Sequence, residues 1–146
     1  MTTPGAVVRS PDRVPLPRRV AALVAVAVAQ LLARLAPTGI RKVLAFLRRG
    51  AAPATYAQAR RARAAVVAVS LTCAGPEGCL PRSLATALLC RMTGRWPVWC
   101  TGARRSPPFG AHAWVEAEGR MVDEPAPDGY FVRLVAVEPV KSKSGP

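Results

Sequence analysis

The stretch GCLPRSLATALLCRMTG, residues 78–94, decides where helices give way to strands. Leu80, Leu84, Ala87, Leu88 and Met92 recur at three- to four-residue spacing, which predicts a helix over 80–92 with one face turned to a core. Pro81 falls in the first turn, where its missing N–H costs nothing, and Gly94 stands just past the end. Cys79 lies at or just before the N-terminus of this helix, after the turn-forming Ala-Gly-Pro-Glu between Cys73 and Gly78.

C-terminal to Gly94 the period changes. Trp96 to Arg104 predicts one strand, followed by the loop Ser106-Pro107-Pro108-Phe109-Gly110. Residues 111–117 alternate, with Ala111, Ala113, Val115 and Ala117 on one face and His112, Trp114 and Glu116 on the other. Glu118-Gly119 reads as a hairpin turn, 120–124 as the returning strand and Tyr130 to Val137 as a further one. Upstream, helices are expected from about Pro17 to Leu35, Ile40 to Arg49 and Thr55 to Leu71, separated by Pro37-Thr38-Gly39 and by Gly50. Helices first and antiparallel strands second make an α+β fold: N-terminal helices and a cysteine-bearing helix packed on a small antiparallel sheet. The expected organisation is an arm over 1–17, a basic helical region over 18–65, a core over 66–140 and a tail over 141–146. There is no internal repeat and no Gly-rich phosphate loop.

With 146 residues and 51% hydrophobic content, the chain suits one packed domain that buries roughly two-thirds of its unfolded surface. Its net charge of +13 is uneven. Residues 1–65 hold twelve Lys/Arg against one acid, Asp12, and residues 66–146 hold nine against seven. Such a basic surface suits an acidic partner, or is a solvated arginine-rich face. The apolar run Val20 to Ala33 is too short for an ordinary membrane span, which needs about 20 residues. With Arg18 and Arg19 before it and Ala27-Val28-Ala29 within it, the run imitates a signal peptide. The continuing basic helical pattern up to Arg63 instead favours a single helical module.

Cysteines stand at 73, 79, 90 and 100, without a C-x-x-C pair and beside a single histidine, so no metal site of the usual spacing is expected. Reduced thiols in the cytosol fit this sparse pattern. A thiol attacks as a thiolate, and both a helix N-terminus and a neighbouring imidazolium favour that form. Cys79 has the first, while Cys73, Cys90 and Cys100 read as core residues. His112 is the chain's sole base of suitable pKa. Hairpin parity supplies a third member. If Glu118-Gly119 is a two-residue turn, Ala117 faces Arg120, Trp114 faces Asp123, His112 faces Pro125, and Asp123 becomes the diagonal neighbour of His112. A three-residue turn selects Glu124 instead. A cysteine, a histidine and a carboxylate so arranged perform acyl transfer, with the Cys79 backbone N–H available to the oxyanion.

The blocks Gly78-Cys79-Leu80-Pro81-Arg82-Ser83-Leu84-Ala85 and Pro107-Pro108-Phe109-Gly110-Ala111-His112-Ala113-Trp114-Val115-Glu116 resemble those of the lasso peptide B2 proteins. These are transglutaminase-like cysteine proteases of lasso peptide biosynthesis. The likeness covers about Val66 to Val137, and the helical N-terminal part more loosely. It implies a transglutaminase- and papain-like fold and a bacterial, cytoplasmic leader peptidase with a Cys79, His112, Asp123 triad. It further implies a precursor peptide of leader and core as substrate, and a separate leader-binding protein that delivers it. An ATP-dependent macrolactam cyclase would act next, and no cofactor or nucleic acid is involved. The basic helices, with Arg60, Arg61 and Arg63, offer a docking surface for such a partner. Two other functions fit the same residues: a transglutaminase-like acyltransferase, and a non-enzymatic basic adaptor for nucleic acid or membrane surfaces.

Overall fold

The computed structural model describes residues 14–107, 110–124, 126 and 129–140. Most of the expected arm, the expected tail, part of the Pro107–Gly110 loop and the Pro125 partner of His112 lie outside these residues. The elements run α1 (Leu16–Leu32), α2 (Pro37–Leu47), β1 (Ala52–Pro53), α3 (Tyr56–Val69), α4 (Leu71–Ala74), α5 (Cys79–Met92), β2 (Arg95–Trp96), β3 (Val98–Arg104), β4 (Ala111–Ala117), β5 (Arg120–Met121) and β6 (Phe131–Val137). The α+β expectation holds: five helices accompany a four-stranded antiparallel sheet of order β5-β4-β3-β6.

Each helix starts where its sequence supplies a start signal. Pro17 and Pro37 occupy first-turn positions of α1 and α2, so the Pro37-Thr38-Gly39 stretch expected to separate the two helices is instead the first turn of α2. At α3, Thr55 accepts from the Gln58 backbone N–H while the Gln58 side chain accepts from that of Thr55, a capping box that satisfies two otherwise unpaired donors. Helix α5 is the centre of the molecule. Every residue from Arg82 to Cys90 is buried, because α1 and α3 lie against it on one side and β4 on the other. The single core face expected for this helix is therefore too narrow. Its last member, Met92, is half exposed beyond the packed segment.

Helix α1 turns Ala22, Ala25, Ala29 and Leu32 inward, a spacing that keeps small residues where it meets α3 and α5. Its other side leaves Val20, Leu23, Val24, Val28 and Leu31 exposed. Among the described residues no helix is long and apolar enough to cross a membrane. One contiguous core joins these helices to Trp99, Val115, Ala117 and Val137 of the sheet.

Two details of the strands differ from expectation. The strand expected from Trp96 to Arg104 is split at Pro97, a residue without a ladder donor. Arg95–Trp96 pairs in parallel with Ala52–Pro53, and β3 starts afresh at Val98 within the main sheet. The return strand expected over 120–124 ends at Met121.

Candidate active site

Cys79 opens α5, and Gly78 before it permits the close turn that puts it there. A Cβ at Gly78 would lie 2.0 Å from the Thr72 carbonyl oxygen and 3.0 Å from the Cys73 Cα, both backbone atoms that cannot step aside. The same turn is held from behind by Arg82. Its buried guanidinium donates to the carbonyls of Cys73 at 2.8 Å and Gly75 at 3.2 Å. Arg82 thus serves the loop that presents the thiol, although its charge also reaches Cys79.

His112 stands at the start of β4, paired in register with Gly102 of β3. Its ring stacks on Phe131 at 4.4 Å between centroids and lies 5.8 Å from Trp114, with interplanar angles of 15° and 16°. Trp114 is fixed in turn by its indole N–H, which donates to Glu116 at 2.8 Å. Gly102 makes room for this stack and for the register shift beside it, where Leu134 of β6 is left without a partner on β3. A Cβ there would lie 1.9 Å from the Val132 carbonyl oxygen and 3.0 Å from the Trp114 ring.

The thiol and the imidazole are mutual partners. Burial alone would push Cys79 up, but a hydrogen bond with His112, one with the Ala113 backbone and the charges of His112 and Arg82 outweigh it and hold the thiol below its ordinary value. Burial likewise disfavours the imidazolium. It is outweighed by hydrogen bonds to Cys79 and Glu124 and by their charges, and His112 is pushed up to about 9. Both shifts favour the charged forms, the thiolate and the imidazolium. The other cysteines go the opposite way. Burial raises Cys73 and takes Cys90 and Cys100 up to about 12, with Glu116 adding to the rise at Cys100. All four cysteines are free thiols.

The carboxylate on the imidazole is Glu124, not Asp123. Glu124 Oε2 lies 3.0 Å from His112 Nε2, and its side chain is 3% exposed. Asp123 points away and accepts from Arg60 Nε at 3.1 Å in a solvated pair. Hairpin parity holds as far as it can. Glu118 and Gly119, both at positive φ, form the two-residue turn, Ala117 faces Arg120, and the Val122 N–H donates to the Val115 carbonyl at 3.0 Å. Asp123 then adopts a φ of 48°, which ends the extended run and turns Glu124 toward the histidine face. With Nε2 on Glu124, Nδ1 is the ring nitrogen left for the thiol.

Sequence reasoning missed the residue behind Glu124. Arg63, buried in α3, places Nη2 3.8 Å from Glu124 Oε1. A signal was available, since Ala59, Ala62, Arg63 and Val66 follow the i, i+3, i+4, i+7 spacing of a buried face, and a charged side chain on that face needs a partner. Beside the thiol and the imidazole lies a groove of about 470 Å³, lined mainly by apolar groups that include Ile40, Leu80, Trp99 and Leu134, with Arg41 among them. Among the described residues no cluster of His, Cys, Asp or Glu suits a metal ion.

The family model described as the transglutaminase-like superfamily matches residues 22–136, which takes in most of the N-terminal helices and all of the sheet but Val137. No curated protein and no solved structure matches the chain. A domain of this kind is consistent with cysteine peptidase or acyltransferase chemistry. A helix-borne Cys79, a strand-borne His112 and a match over 115 of 146 residues lead to one conclusion: the chain belongs to the transglutaminase-like superfamily.

Proposed function

We propose that this protein is a cysteine peptidase that removes the leader from a lasso peptide precursor. Cys79 is its nucleophile, His112 its acid and base, and Glu124 the carboxylate that orients the histidine. The observation that carries this reading is Cys79 at the start of α5 beside a His112 ring hydrogen-bonded at 3.0 Å to the buried Glu124 carboxylate, an arrangement that lowers the thiol and raises the imidazole to about 9. Cys79 Sγ bonds to the scissile carbonyl carbon, and the charge that develops on oxygen is met by the backbone N–H of Cys79 at the start of α5. As the C–N bond breaks, the imidazolium gives its proton to the leaving amine. The neutral imidazole then takes a proton from water. The resulting hydroxide attacks the thioester, the C–S bond breaks to return the Cys79 thiolate beside the re-protonated His112, and the carboxylic acid product gives its proton to solvent.

The leader-peptide specificity draws support from the Cys79 and His112 sequence blocks, and the apolar groove suits the uncharged side chains of an extended peptide. Substrate delivery in this reading falls to a separate leader-binding protein, and a macrolactam-forming cyclase consumes the freed N-terminal amine. Of the arginines offered for docking, Arg63 is buried and Arg60 is paired, which leaves Arg61 exposed on that helix.

The test is incubation of the protein with a candidate precursor and its leader-binding protein, followed by mass spectrometry, for wild type and Cys79→Ala. Hydrolysis between leader and core by wild type alone supports the reading. Cleavage that survives Cys79→Ala overturns it, and transfer of the acyl group to an added amine in preference to water would make the enzyme an acyltransferase.

A further inference from the structure

We infer that Arg63 is a positioning residue of the active site, acting through Glu124 to set the charge and orientation of His112. Its role rests on the peptidase reading above, in which His112 is the acid and base. Arg63 belongs to neither sequence block that carries the resemblance, and it sits on α3 rather than on the elements that bear the thiol and the imidazole.

The placement of Arg63 is costly and therefore informative. The residue is 5% exposed, and its Nη2 makes no hydrogen bond among the described residues. Burying a guanidinium without a full set of acceptors is unfavourable, and burial lowers its pKa despite the nearby acids. Glu124 is the acid within ion-pair distance of it. The Glu124 side chain is also almost wholly buried, and its two oxygens divide between two cations: Oε1 faces Arg63 at 3.8 Å and Oε2 faces His112 Nε2 at 3.0 Å. A carboxylate held at one oxygen alone rotates about its terminal bond. Held at both, it presents Oε2 to the imidazole in one orientation, which in turn fixes Nδ1 toward Cys79.

Helix α3 clamps the same turn at two further points. Arg60 pairs with Asp123, and the Tyr56 hydroxyl lies 3.5 Å from the Asp123 backbone N–H. Tyr56, Arg60 and Arg63 follow the i, i+4, i+7 spacing of one helix face, so one rigid element sets the position of residues 123 and 124. The charged and titratable groups around Arg63 and the His112–Glu124 pair are Asp123, Arg60 and Tyr56, with Cys79 and Arg82 from α5.

His112 is the chain's single histidine, so its NMR signal is unambiguous and its titration needs no substrate. In full-length Arg63→Gln, Glu124 loses its second cation and its fixed orientation, and the His112 midpoint is expected to move measurably from about 9, with the rate of Cys79 alkylation at pH 7 changing with it. Arg63→Lys should restore both in part, and it serves as the second variant if Arg63→Gln does not fold. With substrate, kcat should fall about tenfold or more while KM stays within about twofold. A His112 midpoint that is unchanged in the folded variants would overturn the positioning role, whether or not stability falls. The titration and alkylation arms are read without precursor, so failure of the leader-peptidase reading would show only in the cleavage assay.

Discussion

The proton affinities of the thiol and the imidazole are shifted in opposite directions at the site. An isolated cysteine holds its proton to higher pH than an isolated histidine, but here the thiol is lowered and the imidazole raised to about 9. On the acid side activity is lost as Cys79 gains a proton and ceases to be a nucleophile. On the alkaline side it is lost near pH 9, as His112 gives up the proton the leaving amine needs. A pH–rate profile should therefore rise as Cys79 loses its proton, at a lower pH than a free thiol, and fall near pH 9. An alkaline limb near 6.5 would mean that the imidazole is uncoupled from the thiol. Iodoacetamide at pH 7 should label Cys79 ahead of Cys90 and Cys100, both held protonated with values near 12, and peptide mapping reads the order. The two adjacent acids separate cleanly by mutation. Glu124→Gln removes the carboxylate charge facing His112 Nε2 and should lower kcat by about 10²- to 10⁴-fold. Asp123→Asn removes only a solvated pair with Arg60 and should leave kcat within about twofold.

At the scale of elements, the chemistry depends on two turns that set where side chains point. At Gly78 the backbone of α4 lies too close for any Cβ, so Gly78→Ala must push apart α4 and the start of α5. The cost is about 1–3 kcal/mol by thermal or denaturant unfolding, with loss of cleavage because Cys79 is the next residue. An alanine variant with wild-type stability and activity would show that the turn is looser than its geometry implies. The second turn marks where sequence reasoning stopped working. Strand parity placed the β4–β5 hairpin correctly through Val122, because the Glu118-Gly119 dipeptide specifies a tight turn and alternation does the rest. It failed one residue later, where Asp123 takes a left-handed conformation that no periodicity encodes. The helices were legible for the same reason as the hairpin. Capping residues and prolines carry local signals, as Thr55 and Gln58 do for α3. The two-residue pairing of Ala52–Pro53 with Arg95–Trp96 offered none, being too short for a period.

Over the whole molecule, part of the basic N-terminal third proves to be structural. Arg48 donates to the Glu138 carbonyl at 2.9 Å and so ties α2 to the chain beyond β6. Arg91 returns the favour from α5, donating to the Leu47 carbonyl at 2.7 Å and capping the end of α2. With Arg63 buried and Arg60 paired, these contacts explain part of the charge asymmetry without an external ligand. The same helices also bear on catalysis through packing. Ala22, Ala25 and Ala29 of α1 are fully buried where α1 meets α3 and α5, and a methyl side chain is what allows so close an approach. Ala25→Leu adds three carbons to a filled interface and should destabilise the fold by about 1–3 kcal/mol. For a domain of this size that lowers Tm by about 2–4 °C per kcal/mol. Because α5 carries Cys79 at its N-terminus and is buried along nine consecutive residues, displacement by α1 should also disturb the thiol and reduce cleavage. Val24→Ser, on the exposed side of the same helix, should change stability by no more than about 0.5 kcal/mol. Unfolding midpoints for the pair decide the matter: equal midpoints would mean that α1 is not seated on α5 through Ala25, and the N-terminal helices would then be dispensable to the site.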